Sequence, residues 1–174
     1  FTQFYSSASV CSPSRAAFMT GQFPGRLGIH TVISGTQRNK QSGVPECIDL
    51  KTPFLTRLLK DAGYATGHFG KWHLGSNARN VPLPGEYGID DHRTTTTVRG
   101  APTWDDANSP EAKSKSTTQI VDETIRFVTA NRDKPFYVNV WTRLPHAPLH
   151  PNAEQLKVYA NFKPDPDLPY LSAQ

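Results

Sequence analysis

The residues whose types and spacing suit chemistry fall in three short segments, and the first begins at a cysteine. Cys11 stands directly before Ser12 and Pro13, which are typical of the N-cap and the first position of a helix. Free N–H groups and the helix dipole favour an anion at such a point. Arg15, one turn further along, adds a planar fork of donors. The spacing from Cys11 to Arg15 is too short for the loop with which a cysteine-based phosphatase wraps its phosphate.

The second segment places a lysine and a histidine two residues apart. Lys71 and His73 lie in the stretch GYATGHFGKWHLG, residues 63–75. In an extended segment, side chains two residues apart project to the same side. A point charge and an imidazole can therefore converge on one anion.

The third segment is a histidine in a loop stiffened by prolines. The apolar run FYVNVW, residues 136–141, predicts a buried strand, and His146 follows it between Pro145 and Pro148. A stiff loop suits a positioned acid, although His150 is an alternative to His146 for that role.

The elements around these segments predict an α/β fold. Helix-then-strand occurs twice, which favours parallel strands, and functional groups in such sheets gather beyond the carboxyl ends of the strands. The three segments stand at such places. We expect helices over residues 13–20 (capped by Ser12), 53–62 (capped by Thr52), 117–131 and 152–160, strands over residues 64–69 and 136–141, and loops over residues 22–50 and 76–116.

Composition narrows the class of protein. The 174 residues suit one domain, 36% of them are apolar, and the net charge is +4. The basic residues are scattered, so a nucleic-acid partner is not indicated, and no apolar run approaches the length of a membrane span. Cys11 and Cys47 show no metal-binding spacing. Cys47 has no basic neighbour at motif spacing, so we expect it to be structural or incidental.

The motifs resemble those of one enzyme family. The stretch CSPSRAAFMTG, residues 11–21, resembles the sulfatase signature Cys-x-Pro-Ser-Arg with its trailing Thr-Gly, and residues 63–75 match every fixed position of the second signature. The strand and loop around His146 are a softer match to the third active-site strand. The resemblance implies an alkaline-phosphatase-like α/β layered sheet with flanking helices. It also implies that residues 1–174 are a partial N-terminal catalytic domain, without an internal boundary and cut at both ends.

The resemblance implies a role for each residue. Cys11, converted to formylglycine by a formylglycine-generating enzyme, is the nucleophile and touches the metal, and Arg15 holds its hydrate. Lys71 binds the sulfate and the nucleophile, and His73 hydrogen-bonds the hydrate and helps to eject sulfate from a covalent sulfoenzyme. His146 contacts the ester and protonates the leaving alcohol. The family also implies a periplasmic, secreted or lysosomal location.

The metal implied by the resemblance is Ca²⁺ or Mg²⁺. Family members hold it with an Asp-Asp pair before the cysteine motif and an Asp-Asn pair far downstream, which fall outside this chain. Hard cations need several oxygen ligands. The pairs Asp90-Asp91 and Asp105-Asp106 are available in the sequence, but we expect both to be solvated surface.

The predicted function is hydrolysis of a sulfuric ester of a small substrate, a sulfated sugar or an aryl sulfate. The general likeness is to arylsulfatases and N-acetylgalactosamine-6-sulfatases. One alternative is a phosphonate or phosphodiester hydrolase of the same superfamily. The other is an inactive fragment that only binds sulfated ligands, and the sequence leaves the activity of these residues on their own open.

Overall fold

A computed structural model describes residues 2–95, 98–104 and 109–162. Its main elements are five α-helices and three β-strands within those ranges, with two short 3₁₀ turns, Pro24–Leu27 and Pro84–Tyr87. The helices are α1 (Cys11–Thr20), α2 (Thr36–Ser42), α3 (Leu55–Asp61), α4 (Pro110–Asn131) and α5 (Ala153–Lys157). The strands are β1 (Ala65–Gly70), β2 (Asp91–Thr94) and β3 (Phe136–Trp141). None of the helices in the described ranges is both long and apolar enough to cross a membrane.

The three strands form one parallel sheet in the order β2-β1-β3. Ala65 lies opposite Phe136 and Gly70 opposite Trp141, so β1 and β3 end at the same edge. The predicted parallel arrangement of β1 and β3 is confirmed. The loop predicted for residues 76–116 is wrong at β2, since Asp91–Thr94 pairs with β1. The sequence DHRT carries no apolar alternation because this short strand is mostly half-exposed, and tertiary pairing alone makes it a strand.

Two helix starts differ from the predicted ones. Helix α1 begins at Cys11, with Val10 as its N-cap, so Ser12 lies inside the helix. The hydroxyl of Ser12 is fully buried and accepts the backbone N–H of Ile33 instead of capping the helix. Helix α3 begins at Leu55, because Phe54 takes an extended conformation that buries its ring completely in the core. In both cases a tertiary contact outweighs local capping preference.

The other boundaries shift for local reasons. Helix α4 starts at Pro110, earlier than the predicted residue 117, because Ser109 accepts the N–H of Ala112 and Pro110 suits the first turn. The predicted loop over residues 22–50 contains α2, whose seven polar residues give no apolar periodicity. Gly21 ends α1 in the left-handed conformation, as predicted.

The core has one part on each face of the sheet. On one face, α4 packs against β1 and β3 around Phe69, Ile120 and Phe127. On the other, a larger cluster includes Met19 of α1 and the aromatic rings of Phe54, Trp72 and Tyr87. Strand β1 is buried along its whole length. The sheet with helices on both faces is the layered α/β architecture that the sequence predicted.

The end of β1 depends on one glycine. Gly70 has a φ of +115°, in the region that disfavours residues with a Cβ, and a Cβ there would lie 2.7 Å from the carbonyl carbon of Trp141. This close approach lets the backbone N–H of Lys71 donate to the Trp141 oxygen over 2.8 Å. Gly70 therefore determines where the chain leaves the strand and which way Lys71 faces.

Replacing Gly70 by alanine should destabilise the fold far more than replacing Gly63. Gly63 also has a positive φ, but a Cβ there meets no atom within 4 Å. Gly63→Ala should therefore cost only the left-handed penalty of about 1–2 kcal/mol, whereas Gly70→Ala adds a clash with backbone worth a further ~1–3 kcal/mol. Urea unfolding of both variants measures the difference. Equal losses would mean that the strand end relaxes freely and that the close approach is unimportant.

Candidate active site

The predicted site residues gather around an open cleft of about 790 Å³ at the carboxyl ends of β1 and β3. The first turn of α1 contributes one wall, and the chain that follows β3 contributes the other. The cleft is lined by four of the five candidate residues, Cys11, Arg15, Lys71 and His146, together with Trp141 and Arg143 among others.

The contact between Cys11 and Lys71 is the centre of this cleft. The Lys71 ammonium lies 3.2 Å from the Cys11 sulfur, although the two residues are 60 positions apart in the chain. Lys71 is only 7% exposed. A nearly buried cation beside a sulfur atom at a helix N-terminus stabilises negative charge at that point.

Arg15 ties the two walls of the cleft together. Its Nη1 donates to the backbone carbonyl of Lys71 over 2.6 Å, and its guanidinium lies 4.5 Å from the centre of the Trp141 ring. Burial lowers the pKa of Arg15, and charge on Cys11 acts in the opposite direction. The planar fork of an arginine suits this combination of a carbonyl on one side and an aromatic face on the other.

His73 lies beside the cleft and does not line it. Its ring lines a smaller cavity of about 190 Å³ with Ser34, Gly35 and Asn77. Its backbone has a φ of +56°, rare for a residue other than glycine, and its Nε2 lies 2.9 Å from the carbonyl oxygen of Ile33. Because a carbonyl only accepts, Nε2 carries the proton. Nδ1 is buried and meets no hydrogen-bonding partner in the described part of the chain.

Two polar residues that the motifs did not single out hold the loop against which His73 rests. Ser12 accepts the N–H of Ile33 over 3.0 Å, so one peptide unit connects α1 to the histidine. Asn39, almost fully buried, binds both backbone groups of Ser34, at 2.7 Å to its N–H and 3.1 Å to its carbonyl. No sequence signal marks Asn39, because its role depends on a contact with a distant loop.

The environment of His73 keeps its imidazole neutral. Burial lowers the pKa of His73 to about 4, and the nearby ammonium of Lys71 acts in the same direction, against the hydrogen bond to Ile33. At neutral pH the ring is therefore a donor at Nε2 and an unprotonated acceptor at Nδ1.

His146 is exposed at the mouth of the cleft. Its Nδ1 lies 2.6 Å from the carbonyl oxygen of Ala147, which fixes the orientation of the ring. His150, the alternative from the sequence, does not line this cleft. Of these two histidines, His146 is therefore the one that lines the cleft.

The acidic pair Asp90-Asp91 does not line the cleft. Asp90 pairs with Lys60 at 2.6 Å and Asp91 with Arg126 at 2.7 Å, both at the partly exposed surface. The pair at residues 105–106 lies outside the described residues. Over the described ranges, no three His, Cys, Asp or Glu side chains are grouped to hold a metal ion.

Cys47 stands apart from the cleft. Both cysteines are free thiols, so no disulfide consumes Cys11. Burial raises the pKa of Cys47, which keeps it protonated and unreactive. The expectation that Cys47 is structural or incidental stays a prediction.

Comparisons with known proteins identify relatives of the whole chain. The family model described as Sulfatase matches residues 1–169. The uncharacterized sulfatase YdeN of Escherichia coli is 31% identical over 177 aligned residues, which cover 85% of this chain and 30% of YdeN. Human N-acetylgalactosamine-6-sulfatase is 40% identical over 96 residues, which cover 52% of this chain and 17% of the enzyme. The chain thus spans less than a third of these relatives.

Solved structures share the fold. The crystal structure of Ps i-CgsB in complex with k-i-k-neocarrahexaose superposes with a TM-score of 0.70 at 24% identity, over 92% of this chain and 40% of the other. The structure of BT4656, in complex with its substrate D-glucosamine-2-N,6-O-disulfate, gives 0.62 at 23% identity over 93% and 30%. The predicted alkaline-phosphatase-like α/β fold is confirmed.

Acidification should destabilise the folded chain through His73. The imidazole stays neutral in the folded state down to about pH 4, but it takes a proton near its ordinary pKa of about 6.5 once unfolded. The unfolded chain therefore binds more protons between these values, and the free energy of unfolding falls as the pH falls through this window. His73 should contribute up to ~1.4 kcal/mol per pH unit, measured by urea unfolding at several pH values.

Two histidine variants test this assignment. His73→Gln should reduce the slope of stability against pH without abolishing it, because burial also lowers the pKa of His68, to about 3, and that of His92. His30→Gln, at an exposed site, should retain the full slope. If His73→Gln and the wild type lose stability in parallel between about pH 6.5 and pH 4, the neutral His73 is not the cause.

Proposed function

The chain belongs to the sulfatase family, and on that premise we propose that it supplies the nucleophile and its cations to a sulfuric ester hydrolase acting on a sulfated carbohydrate or an aryl sulfate. The observation that carries the proposal is the 3.2 Å contact of the Lys71 ammonium with the Cys11 sulfur in an open cleft. The positive charge of Lys71 at this point would stabilise the negative charge on both the sulfuryl oxygens and the nucleophile.

In the proposed enzyme, Cys11 is converted to formylglycine. The hydrate of that aldehyde supplies one hydroxyl that attacks sulfur and a second whose deprotonation expels the sulfate and restores the aldehyde. A thiol lacks the second hydroxyl, so attack through sulfur would leave an adduct that stalls after one turnover. The Cys-x-Pro-x-Arg pattern at Cys11, Pro13 and Arg15 also implies a formylglycine-generating enzyme as maturation partner.

The surrounding side chains have separate tasks in this proposal. Lys71 draws the negative sulfuryl group to the end of α1, and Arg15 holds the nucleophile position while fixing the Lys71 backbone. In this proposal the imidazolium form of His146 donates its Nε2 proton to the leaving alcohol. The exposure of the ring on the cleft, and the contact of its Nδ1 with the Ala147 carbonyl, support this role. The family resemblance gives His73 the proton released when sulfate leaves. Its neutral Nδ1, which has no partner in the described residues, supports this role, although the ring lies beside the cleft and does not line it.

The family resemblance also implies Ca²⁺ or Mg²⁺ in the complete site. A hard cation binds oxygen ligands and neutralises charge on the sulfuryl oxygens. The described residues contain no cluster of ligands for it, and Cys11 in its modified form is the one position in this chain that the resemblance assigns. The proposed steps therefore rest on the side chains of the chain itself.

Activity should depend on the aldehyde form of Cys11. The protein produced from its complete gene with a formylglycine-generating enzyme should lose the Cys11 thiol, gain an aldehyde that reacts with hydrazide, and hydrolyse nitrophenyl sulfate many times. Cys11→Ala should remove the aldehyde and the turnover together, because no nucleophile remains. Peptide mass spectrometry and absorbance assays measure the two properties.

Cys47→Ser is the matched control and should retain both properties, because its side chain lies outside the cleft. The formylglycine proposal is falsified if a preparation with Cys11 entirely in the thiol form turns over at the same rate. Efficient hydrolysis of nitrophenyl phosphate or a phosphonate ester, without hydrolysis of the sulfate, would instead assign the alternative chemistry.

Removing the Lys71 charge should impair catalysis and leave most of the fold intact. Lys71→Met keeps the aliphatic length of a nearly buried side chain but loses the ammonium, and loss of one preorganised electrostatic contact typically lowers kcat by about 10²–10³-fold. Steady-state kinetics on nitrophenyl sulfate measures the loss.

Lys60→Met removes the same charge from a surface ion pair with Asp90 and should change kcat less than about twofold. A Lys71→Met enzyme with wild-type kcat would show that the ammonium does not act on the reacting group.

A further inference from the structure

The cleft contains one more cation than the proposed chemistry uses. Arg143 lines it together with Arg15 and Lys71. Arg15 is engaged by the Lys71 carbonyl and the Trp141 ring, and Lys71 contacts Cys11. In the described part of the chain, the guanidinium of Arg143 forms no ion pair with an acidic side chain.

The charged side chains that line the cleft in the described residues are also all basic. Among the described residues that line it, none is aspartate or glutamate, while three are lysine or arginine and His146 adds an imidazole. Cations held together without counter-charges repel each other, and the repulsion is relieved when anions enter. One sulfate ester group carries a single negative charge, fewer than the three cationic side chains that the described residues contribute to the cleft.

Arg143 and Cys11, the proposed nucleophile, lie on different walls of the cleft. Arg143 follows β3 on the loop that also bears His146, and its backbone carbonyl accepts the N–H of His146 over 3.0 Å. The opposite wall carries Cys11 at the start of α1. If His146 serves the leaving alcohol, as proposed above, Arg143 lies on the same wall of the cleft as that group.

From this geometry we propose that Arg143 binds a second anionic group of the substrate, next to the sulfate ester that is cleaved. The inference rests on the proposed sulfatase function and extends it to substrate class: a saccharide with two anionic groups, the second a sulfate or a carboxylate. The planar fork of arginine donates two parallel hydrogen bonds to either group. Arg143 is thus a specificity-determining residue, and the reacting sulfate is bound by Lys71.

Competitive inhibition tests this subsite without requiring that every probe be hydrolysed. The protein from its complete gene, matured with the formylglycine-generating enzyme, hydrolyses nitrophenyl sulfate in the presence of three saccharides. The first is N-acetylglucosamine with one O-sulfate, the second is the same sugar with two O-sulfates, and the third is glucuronate with one O-sulfate. The inhibition constant of each is measured for the wild type, Arg143→Gln and Arg143→Lys.

We expect Arg143→Gln to raise the inhibition constant of at least one doubly anionic probe about tenfold to a hundredfold more than that of the singly anionic probe, the range for a charge-assisted hydrogen bond. Arg143→Lys should recover part of the loss, because it keeps the charge and loses the fork. An effect confined to the second probe identifies a second sulfate, and one confined to the third identifies a carboxylate. Arg132→Gln removes the same charge from an exposed position paired with Asp133 and should alter none of the constants.

Equal effects of Arg143→Gln on all three probes, or no effect on any, would overturn the second-anion subsite. Failure of the wild type to hydrolyse nitrophenyl sulfate or any of the sulfated saccharides would contradict the proposed function itself. The two failures are therefore distinguishable.

Discussion

The nearly buried ammonium of Lys71 is the feature on which the rest of the site depends. A cation with this little exposure needs polar partners, and its Nζ contacts the Cys11 sulfur while the Arg15 guanidinium holds its backbone carbonyl. Two positive side chains that line one cleft repel each other, so the scaffold must hold them there. Gly70 and the hydrogen bond from the Lys71 N–H to Trp141 do so from the strand side. The arrangement is prepared for an anion before any anion arrives, which is what electrostatic catalysis requires.

A second constraint connects helix α1, which begins at Cys11, to His73. The Ile33 peptide is bound on both sides, by the Ser12 hydroxyl at its N–H and by the His73 ring at its carbonyl. Asn39 fixes the next peptide unit from the core. A shift of α1 therefore displaces the acceptor that determines which His73 nitrogen carries the proton. A displacement of Cys11 and the protonation state of His73 are therefore coupled through the loop that contains Ile33.

The sequence predicted the parallel sheet and four of the cleft residues, because the motifs and the strand ends they follow are local features. Periodicity or capping residues predict the type of the element next to each of these four residues, Cys11, Arg15, Lys71 and His146. Strand β2 and the burial of Ser12 could not be predicted from the sequence, since each depends on a partner distant in the chain. The same holds for His73, which spacing placed beside Lys71 but which a positive φ turns toward Ile33. Alternation rules assume extended backbone, and the chain after Gly70 is no longer a strand.

Different parts of the fold carry the groups that any sulfate ester would need and the groups that would determine substrate preference. Residues that would handle any sulfate ester lie on α1 and just beyond β1, where packing and short hydrogen bonds hold them. Arg143 and His146 lie on the loop after β3, which is exposed and makes few core contacts. Loops at the carboxyl ends of parallel strands change without disturbing the sheet, so this is where substrate preference is altered most readily. Arg143 is the cation that this loop contributes to the cleft, so among the described residues the loop is the part of the site that our proposal links to a preference for a second anion.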